Sequence, residues 1–333
     1  LAETTVGIVA NPASGRDIRR LVAGASVFDN AEKGSMVYRL MVGLGAVGVR
    51  RVLMMPAASG LYDALERNLR SHGRDARLPE LELLEMPLRH DAQDTVEAVE
   101  CMLGKGVSAI AVLGGDGTSR LVARHCGEVP ICPLSTGTNN AFPEMREATV
   151  AGLATGLVAT GRLRAVRRKK ILRVRMNGHE DCALVDVAAS GERFVGARAL
   201  WRPESVYEIV VASAAPDAVG LSAVAGLLAP LSREDPFGLH LRLAPPEKAR
   251  RVLKVPLAPG LVVPVGVTEV QRIPLGEEVE LEPRAGVVAL DGEREMERGP
   301  EDRVGVVPEG EGPLVVDVAA AMRRAAREGL LEG

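Results

Sequence analysis

The stretch Gly114-Gly115-Asp116-Gly117-Thr118, directly behind the apolar run from Val107 to Leu113, limits what this chain can fold into more than any other. An uncharged apolar run of that length reads as a buried strand, and the glycine pair behind it as a tight turn into a helix. Glycines also let backbone amides approach a polyphosphate with no Cβ in the way. The turn holds one aspartate at the carboxyl end of a buried strand, where open α/β sheets place their ligands. Two more segments of this character follow other apolar runs. Asn11-Pro12-Ala13-Ser14-Gly15 ends the run that begins at Val6, and Ser135-Thr136-Gly137-Thr138-Asn139-Asn140 ends the run that begins at Ile131. Both set small hydroxyl or amide residues beside glycine, where they can donate to phosphate oxygens or open a helix.

Up to about residue 140, apolar runs at 6–11, 51–56, 81–87, 109–113 and 131–133 alternate with helical patterns at 18–25, 33–43, 62–70, 92–103 and 119–125. That alternation predicts an α/β domain with a doubly wound parallel sheet over 1–140. A helix over 140–160 leads out of it, and from about 166 to 307 short β-rich runs broken by turns predict a mostly antiparallel second domain over 141–307. Within it, runs at 170–176 and 183–189 flank the turn residues Asn177-Gly178. The segment 308–333 is expected to pack back as a helix over 315–330.

The three turn segments together resemble the kinase superfamily that unites NAD kinases with diacylglycerol and sphingosine kinases. Asn11 to Gly15 is similar to the lipid-kinase Asn-Pro-x-Ser-Gly turn, and Gly114 to Thr118 to the Gly-Gly-Asp-Gly-Thr block of the whole superfamily. Pro133 to Asn140 resembles the lipid-kinase Pro-x-Gly-Thr-Gly-Asn segment, with Ser135 in place of its first glycine. Further on, Ala183-Leu184-Val185-Asp186-Val187 sits where NAD kinases carry Ala-Leu-Asn-Glu/Asp-Val, so the acid is kept and valine replaces asparagine. Residues 213–230 stand in for the hydroxyl-rich NAD-kinase motif but keep little beyond Ser222-Ala223, and Asp291-Gly292-Glu293 resembles the Asp-Gly-Glu turn of the lipid kinases. Over its length, including the segment from Glu192 to Trp201, the chain is most similar to the acetoin-catabolism protein X branch of NAD-kinase-like proteins.

The resemblance implies an ATP-dependent kinase with Mg²⁺ and a site between the two domains. Phosphoryl transfer needs a hydroxyl placed in line with the terminal phosphate and compensation for the spreading charge. Asp116 is the candidate base or hydroxyl-orienting residue; its other reading is a turn residue that bonds its own loop. Asn11, Ser14, Gly15, Gly114, Gly115, Gly117, Thr118, Thr136, Gly137, Thr138 and Asn139 are the expected nucleotide and phosphate cradle. Ser14 and Thr136 read equally as helix caps, which is compatible with phosphate binding because both use free amides at a helix start. Asp186 is the acceptor-side candidate. The resemblance makes Glu293, with Asp291 near it, the outside acids that approach the Mg²⁺, which phosphates and water would hold with few protein ligands. Sequence alone reads Asp291-Gly292 as an exposed turn.

The acceptor is expected to be a small hydroxyl compound, NAD first, with a diacylglycerol-like lipid or a non-catalytic nucleotide sensor or scaffold as the other readings. A net charge of −3 and 2% aromatic residues give no reason to expect nucleic acid. No apolar run approaches the ~20 residues of a membrane span, and no export signal is evident, so the cytoplasm is the expected compartment. Cys101, Cys126, Cys132 and Cys182 form no Cys-x-x-Cys pair and read as reduced thiols. A homo-oligomer is expected. The basic run Arg162, Arg164, Arg167, Arg168, Lys169, Lys170, Arg173 and Arg175 reads as a solvated face or as a rim attracting an anionic substrate. Arg193, Arg198, Trp201 and Arg202 raise the same question, and the histidines have no metal spacing.

Overall fold

Three runs with no exposed face become the central strands of a parallel sheet: β1 (Thr5–Ala10), β4 (Ala109–Gly114) and β5 (Ile131–Ser135), each buried along its whole length. Burial on both faces is what a strand covered by helices above and below requires. With β2 (Arg51–Met54) and β3 (Glu80–Leu83) they pair in parallel in the order β3-β2-β1-β4-β5. The order reverses between β1 and β4, which sets a crevice beyond the carboxyl ends of those two strands. The protein is described by a computed structural model over residues 3–14, 28–56, 60–72, 77–137, 140–192 and 203–332. The expected helix at 18–25 and the segment 193–202 lie outside these residues.

Helices α1 (Asn30–Ala46), α2 (Leu61–His72), α3 (Ala92–Gly104), α4 (Asp116–His125) and α5 (Ala148–Ala159) cover the sheet. One core joins α1, α2 and α5 to the strands, with Leu40, Leu44, Leu65 and Leu157 fully buried; a second joins α3 and α4 on the other face through Val99, Met102 and Val122. α1 and α5 meet backbone to backbone. A Cβ on Gly152 would stand 2.3 Å from the Leu40 carbonyl oxygen, and one on Gly43 would stand 2.3 Å from that of Thr149.

α5 starts later than the expected 140–160. Pro143 bars helix at the residue before it, and the Glu144 carbonyl instead accepts the Ser135 N–H at 2.9 Å, folding this stretch back along β5. Glu147 then caps the helix, accepting the Val150 N–H at 3.0 Å.

The second half is antiparallel. After β6 (Val166–Arg168), strands β7 (Ile171–Met176) and β8 (His179–Ala183) form a hairpin on Asn177-Gly178, whose φ values of 50° and 78° suit a primed turn. The expected strand over 183–189 is broken at Leu184-Val185, and β9 (Asp186–Ser190) continues in a different sheet. It pairs with β10 (Val206–Val211), which leads through β11 (Phe237–Ala244) to the hairpin of β12 (Arg251–Ala258) and β13 (Leu261–Pro274). With β15 (Gly286–Leu290) and β16 (Glu293–Arg298) on its other side, β9 completes the order β12-β13-β11-β10-β9-β15-β16. A smaller sheet runs β14-β17-β7-β8, with β14 at Val279–Glu280 and β17 at Val304–Glu309; a short helix, α6 (Ser222–Gly226), packs beside the larger one.

The chain then returns to the first sheet. β18 (Leu314–Val316) lies parallel to β5 and antiparallel to β6, giving β5-β18-β6 at that edge. The tail is therefore strand before helix: the apolar triplet pairs, and α7 (Val318–Arg327) starts only behind it, capped by Asp317 accepting the Ala320 N–H at 2.8 Å.

Candidate active site

Asn11 and Gly114 emerge side by side where the strand order reverses. The Asn11 N–H donates to the Leu113 carbonyl at 3.1 Å and its Nδ2 to the Thr118 hydroxyl at 3.0 Å, while its Oδ1 accepts the Ala13 N–H at 2.8 Å. The Ser14 hydroxyl donates to the Asn11 carbonyl at 2.9 Å and lies 3.0 Å from the Thr136 hydroxyl. The Thr136 N–H in turn reaches the Gly114 carbonyl at 3.2 Å. Asn11, Ser14, Thr118 and Thr136 thus gather at the carboxyl ends of β1, β4 and β5. Thr136 caps no helix, since α5 begins twelve residues on. Gly137 closes a tight loop with Ser135 and Asn140, accepting the Ser135 hydroxyl at 2.6 Å. Gly15, Thr138 and Asn139 lie outside the described residues.

The glycines of the central turn answer to space. Gly115 is extended, with φ −101° and ψ −169°, so any residue could adopt its backbone, but a Cβ there would stand 2.9 Å from the Asn140 Oδ1. A Cβ on Gly114 would meet the Thr118 side chain at 2.7 Å, and one on Gly117 the Glu293 carboxylate at 3.0 Å. Asp116, half-buried, opens α4 and reaches across to another loop. Its carboxylate accepts the Ala141 N–H at 3.0 and 3.1 Å and the Phe142 N–H at 2.8 Å.

Asp291 differs from both of its sequence readings. At φ 52° it occupies the left-handed region that aspartate tolerates, but its side chain turns inward and is fully buried. The carboxyl accepts N–H groups of Leu184 (3.0 Å), Val185 (2.8 Å) and Asp186 (3.3 Å) at the break between β8 and β9. Burial, then the neighbouring charges of Asp116 and Asp186, push its pKa well above the ordinary carboxyl range, against the pull of Arg120. It braces the break between β8 and β9 from within the core. Asp186 is buried at the start of β9, and the Val185 side chain packs into the apolar core with Val9, Leu53 and Phe142. Among the described residues, no three His, Cys, Asp or Glu side chains come together to hold a metal ion.

Three cations escaped the sequence reading. Lys33 of α1 is buried, and its ammonium donates to the carbonyls of Ser14 (2.9 Å) and Asn11 (3.1 Å), pinning the first turn from beneath. Arg120, one turn into α4, donates to Asp181 at 3.2 Å and Glu295 at 2.5 Å and lies 3.8 Å from Asp291. Burial works against the Arg120 charge, but the carboxylates of Asp291, Glu295, Asp181 and Glu293 outweigh it and raise its pKa. Arg233 reaches the loop that holds Asp116. No local pattern marks any of them, since a lone cation on a helix or in a turn reads as solvated.

The basic run is an ion-paired face. Arg167 pairs with Asp317 at 2.7 Å, Arg168 with Glu128 at 2.6 Å, Arg173 with Glu309 at 2.6 Å and Arg175 with Glu180 at 3.2 Å. Lys170 points inward. All four cysteines are free.

Comparison with known proteins gives the chain a family. Residues 6–163 match the family described as the ATP-NAD kinase N-terminal domain, which defines the first half as NAD-kinase-like. Residues 170–311 match the acetoin catabolism protein X C-terminal domain. Acetoin catabolism protein X of Cupriavidus necator (strain H16) is 48% identical over 335 residues, covering 98% of this chain and 93% of that protein. The chain belongs to the acetoin catabolism protein X family. Among solved structures, a diacylglycerol kinase candidate from Bacillus anthracis str. Sterne aligns over 94% of this chain and 96% of its own, at 14% identity and a TM-score of 0.45.

Proposed function

We propose that this protein is an ATP-dependent kinase that phosphorylates a hydroxyl of a small molecule, within acetoin catabolism as the name of its relative supports. The observation that carries the reading is the Asp116 carboxylate, fixed by the N–H groups of Ala141 and Phe142 directly behind β4, at the sheet edge where Asn11 bonds Thr118 and Ser14 meets Thr136. In this reading the acceptor hydroxyl donates to Asp116, its oxygen bonds the γ-phosphorus, the bond to the bridging oxygen breaks, and ADP leaves. The family resemblance assigns Gly15, Gly117, Gly137, Thr138 and Asn139 to the same cradle. Glu293, whose carboxylate stands beside Gly117, would be the acid that approaches Mg²⁺, and the ion, held mainly by phosphates and water, would neutralise the phosphate charge. The protein acts in the cytoplasm, and none of its described helices is long and apolar enough to cross a membrane.

NAD is a poor acceptor in this reading. Where the NAD-kinase resemblance calls for asparagine, the Val185 side chain is in the core and its N–H is given to Asp291. A ligand polar group left unpaired there loses about 1–3 kcal/mol, roughly ten- to a hundredfold in affinity. The test is phosphoryl transfer from labelled ATP to NAD, diacylglycerol and small polyols, by the native protein and Asp116→Asn. The expected result is transfer to a small hydroxyl compound, with the variant at least ~10²-fold slower and ATP affinity changed only a few-fold. Normal turnover by Asp116→Asn would overturn the assignment. NAD phosphorylation at or above the ~10⁴ M⁻¹s⁻¹ of ordinary enzymes would restore a plain NAD kinase.

A further inference from the structure

The loop that orients Asp116 is gripped from the other half of the chain. Residues 232–237, which lead into the start of β11, form a turn built around the buried Lys170, whose ammonium donates to the carbonyls of Phe237 (2.5 Å), Asp235 (2.9 Å) and Ser232 (3.4 Å). The Ser232 N–H closes the turn on the Asp235 carboxylate at 2.7 Å. From this base Arg233 extends toward the first half, its guanidinium 5.0 Å from the centre of the Phe142 ring. Its Nη2 donates to the Ala141 carbonyl at 2.5 Å and to the Phe142 carbonyl at 3.1 Å.

One peptide group is therefore bonded at both ends. The Ala141 carbonyl accepts from Arg233, and the Phe142 N–H of the same peptide plane donates to Asp116 Oδ1 at 2.8 Å. Turning that plane breaks both bonds, and hydrogen bonds in such a chain polarise one another. We infer that Arg233 is a positioning residue for Asp116, acting through the Ala141–Phe142 peptide, so that the acceptor-side half sets the aim of the carboxylate. The catalytic part of this inference rests on the kinase reading above; the mechanical part does not.

The charge on Arg233 is retained for this purpose. Burial pulls its pKa down, while Glu144 and Asp116 act to keep the guanidinium protonated. A lysine at this position reaches one carbonyl as a point charge and cannot reproduce the planar fork.

The experiment compares native protein, Arg233→Met, Arg233→Lys, Asp116→Asn and the Asp116→Asn/Arg233→Met double variant by two readouts. Amide hydrogen exchange at Ala141 and Phe142 is expected to quicken about tenfold in Arg233→Met, the scale of one lost hydrogen bond, with β4 and α5 amides unchanged. Arg233→Lys should recover part of that protection. In phosphoryl transfer, Arg233→Met should lose about 10- to 100-fold in kcat with KM for ATP held within about twofold, the scale of a catalytic group moved off its line. Adding Arg233→Met to Asp116→Asn should slow the enzyme no further. Unchanged exchange in a folded Arg233→Met overturns the inference, and so does a full additional loss in the double variant. If Arg233→Met does not fold, native-like exchange and kcat in Arg233→Lys overturn it instead. Absence of any Asp116-dependent turnover by the native protein sinks the kinase reading alone, because the exchange comparison still decides the coupling.

Discussion

The parallel and antiparallel halves position their site residues by different means. In the parallel half, Asn11, Asp116 and Thr136 follow directly from the ends of β1, β4 and β5, so the strands bring them to one edge before Lys33 and Arg233 trim the turns. In the antiparallel half the corresponding work falls to buried polar groups that span the chain. Arg120 holds Glu295 across 175 residues, Asp291 holds Leu184 across 107, and Arg233 holds Ala141 across 92. Parallel strands with a common direction can deliver several loops to one edge, leaving side chains only to adjust them. Antiparallel strands alternate direction, so a loop meant for the crevice has to be tied there. Stability and aim are separable in the first half and joined in the second.

The largest test of that contrast is Asp291→Ala. It strips the acceptor from the N–H groups of Leu184 and Val185 and removes one of the carboxylates around Arg120, so a loss of about 3–5 kcal/mol is expected in denaturant unfolding. Asp291→Asn should lose less, because the amide keeps an acceptor oxygen and asparagine tolerates the φ of 52°. A loss below about 1 kcal/mol in Asp291→Ala, the worth of one ordinary hydrogen bond, would break the contrast. The matching test in the first half is Gly152→Val, which drives a branched side chain into the Leu40 carbonyl where α1 meets α5. Overpacking there should cost about 1–3 kcal/mol by the same measurement, and under the proposed kinase function ATP affinity should be retained, since Leu40 lies seven residues along α1 from Lys33, which pins the first turn. A large change in ATP affinity in a folded Gly152→Val would show that aim and stability are joined in both halves.

The smallest effect concerns pH. Burial lowers the Lys170 pKa from 10.5 to about 8, so between those values the unfolded chain binds more protons at this residue than the folded one. Stability from this site therefore rises as pH climbs through about 8 to 10.5, and is lowest below that window, where the buried charge is fully present. The difference in unfolding free energy between native protein and Lys170→Met should shift by order 1–2 kcal/mol across the window, after allowing for partial screening by solvent. A flat difference would mean that the three carbonyls offset the burial of the charge.

The sequence was legible where structure is local. Uncharged runs marked β1, β4 and β5, glycine spacing marked the turn before Asp116, and Asn177-Gly178 marked its hairpin. The stretch after Asn140 reads as helix, yet Pro143 and the bonds of Glu144 to Ser135 and Pro133 hold its first part against β5. The run at 183–189 reads as one strand because periodicity cannot register that Asp291, a hundred residues on, gathers the N–H groups at its middle. Asp291-Gly292 has the composition of an exposed turn and the burial of a core residue. Lys33, Arg120 and Arg233 share one reason for staying hidden: most of their partners are backbone carbonyls or distant carboxylates, which leave little mark near the cation itself.

The return of β18 to the first sheet fixes the order in which the protein can be completed. β6 joins that sheet only through β18, and β5 has an open edge until β18 arrives from about 180 residues further along the chain. At roughly 5–20 residues per second a ribosome takes on the order of 10–35 s to cross that distance, while a collapsing chain of domain size moves within about 10–100 μs. The half that bears Asp116 therefore waits on the ribosome as an unfinished sheet with one bare strand. A transcript cut short before Leu314 therefore yields a β5 edge with nothing of its own to close it.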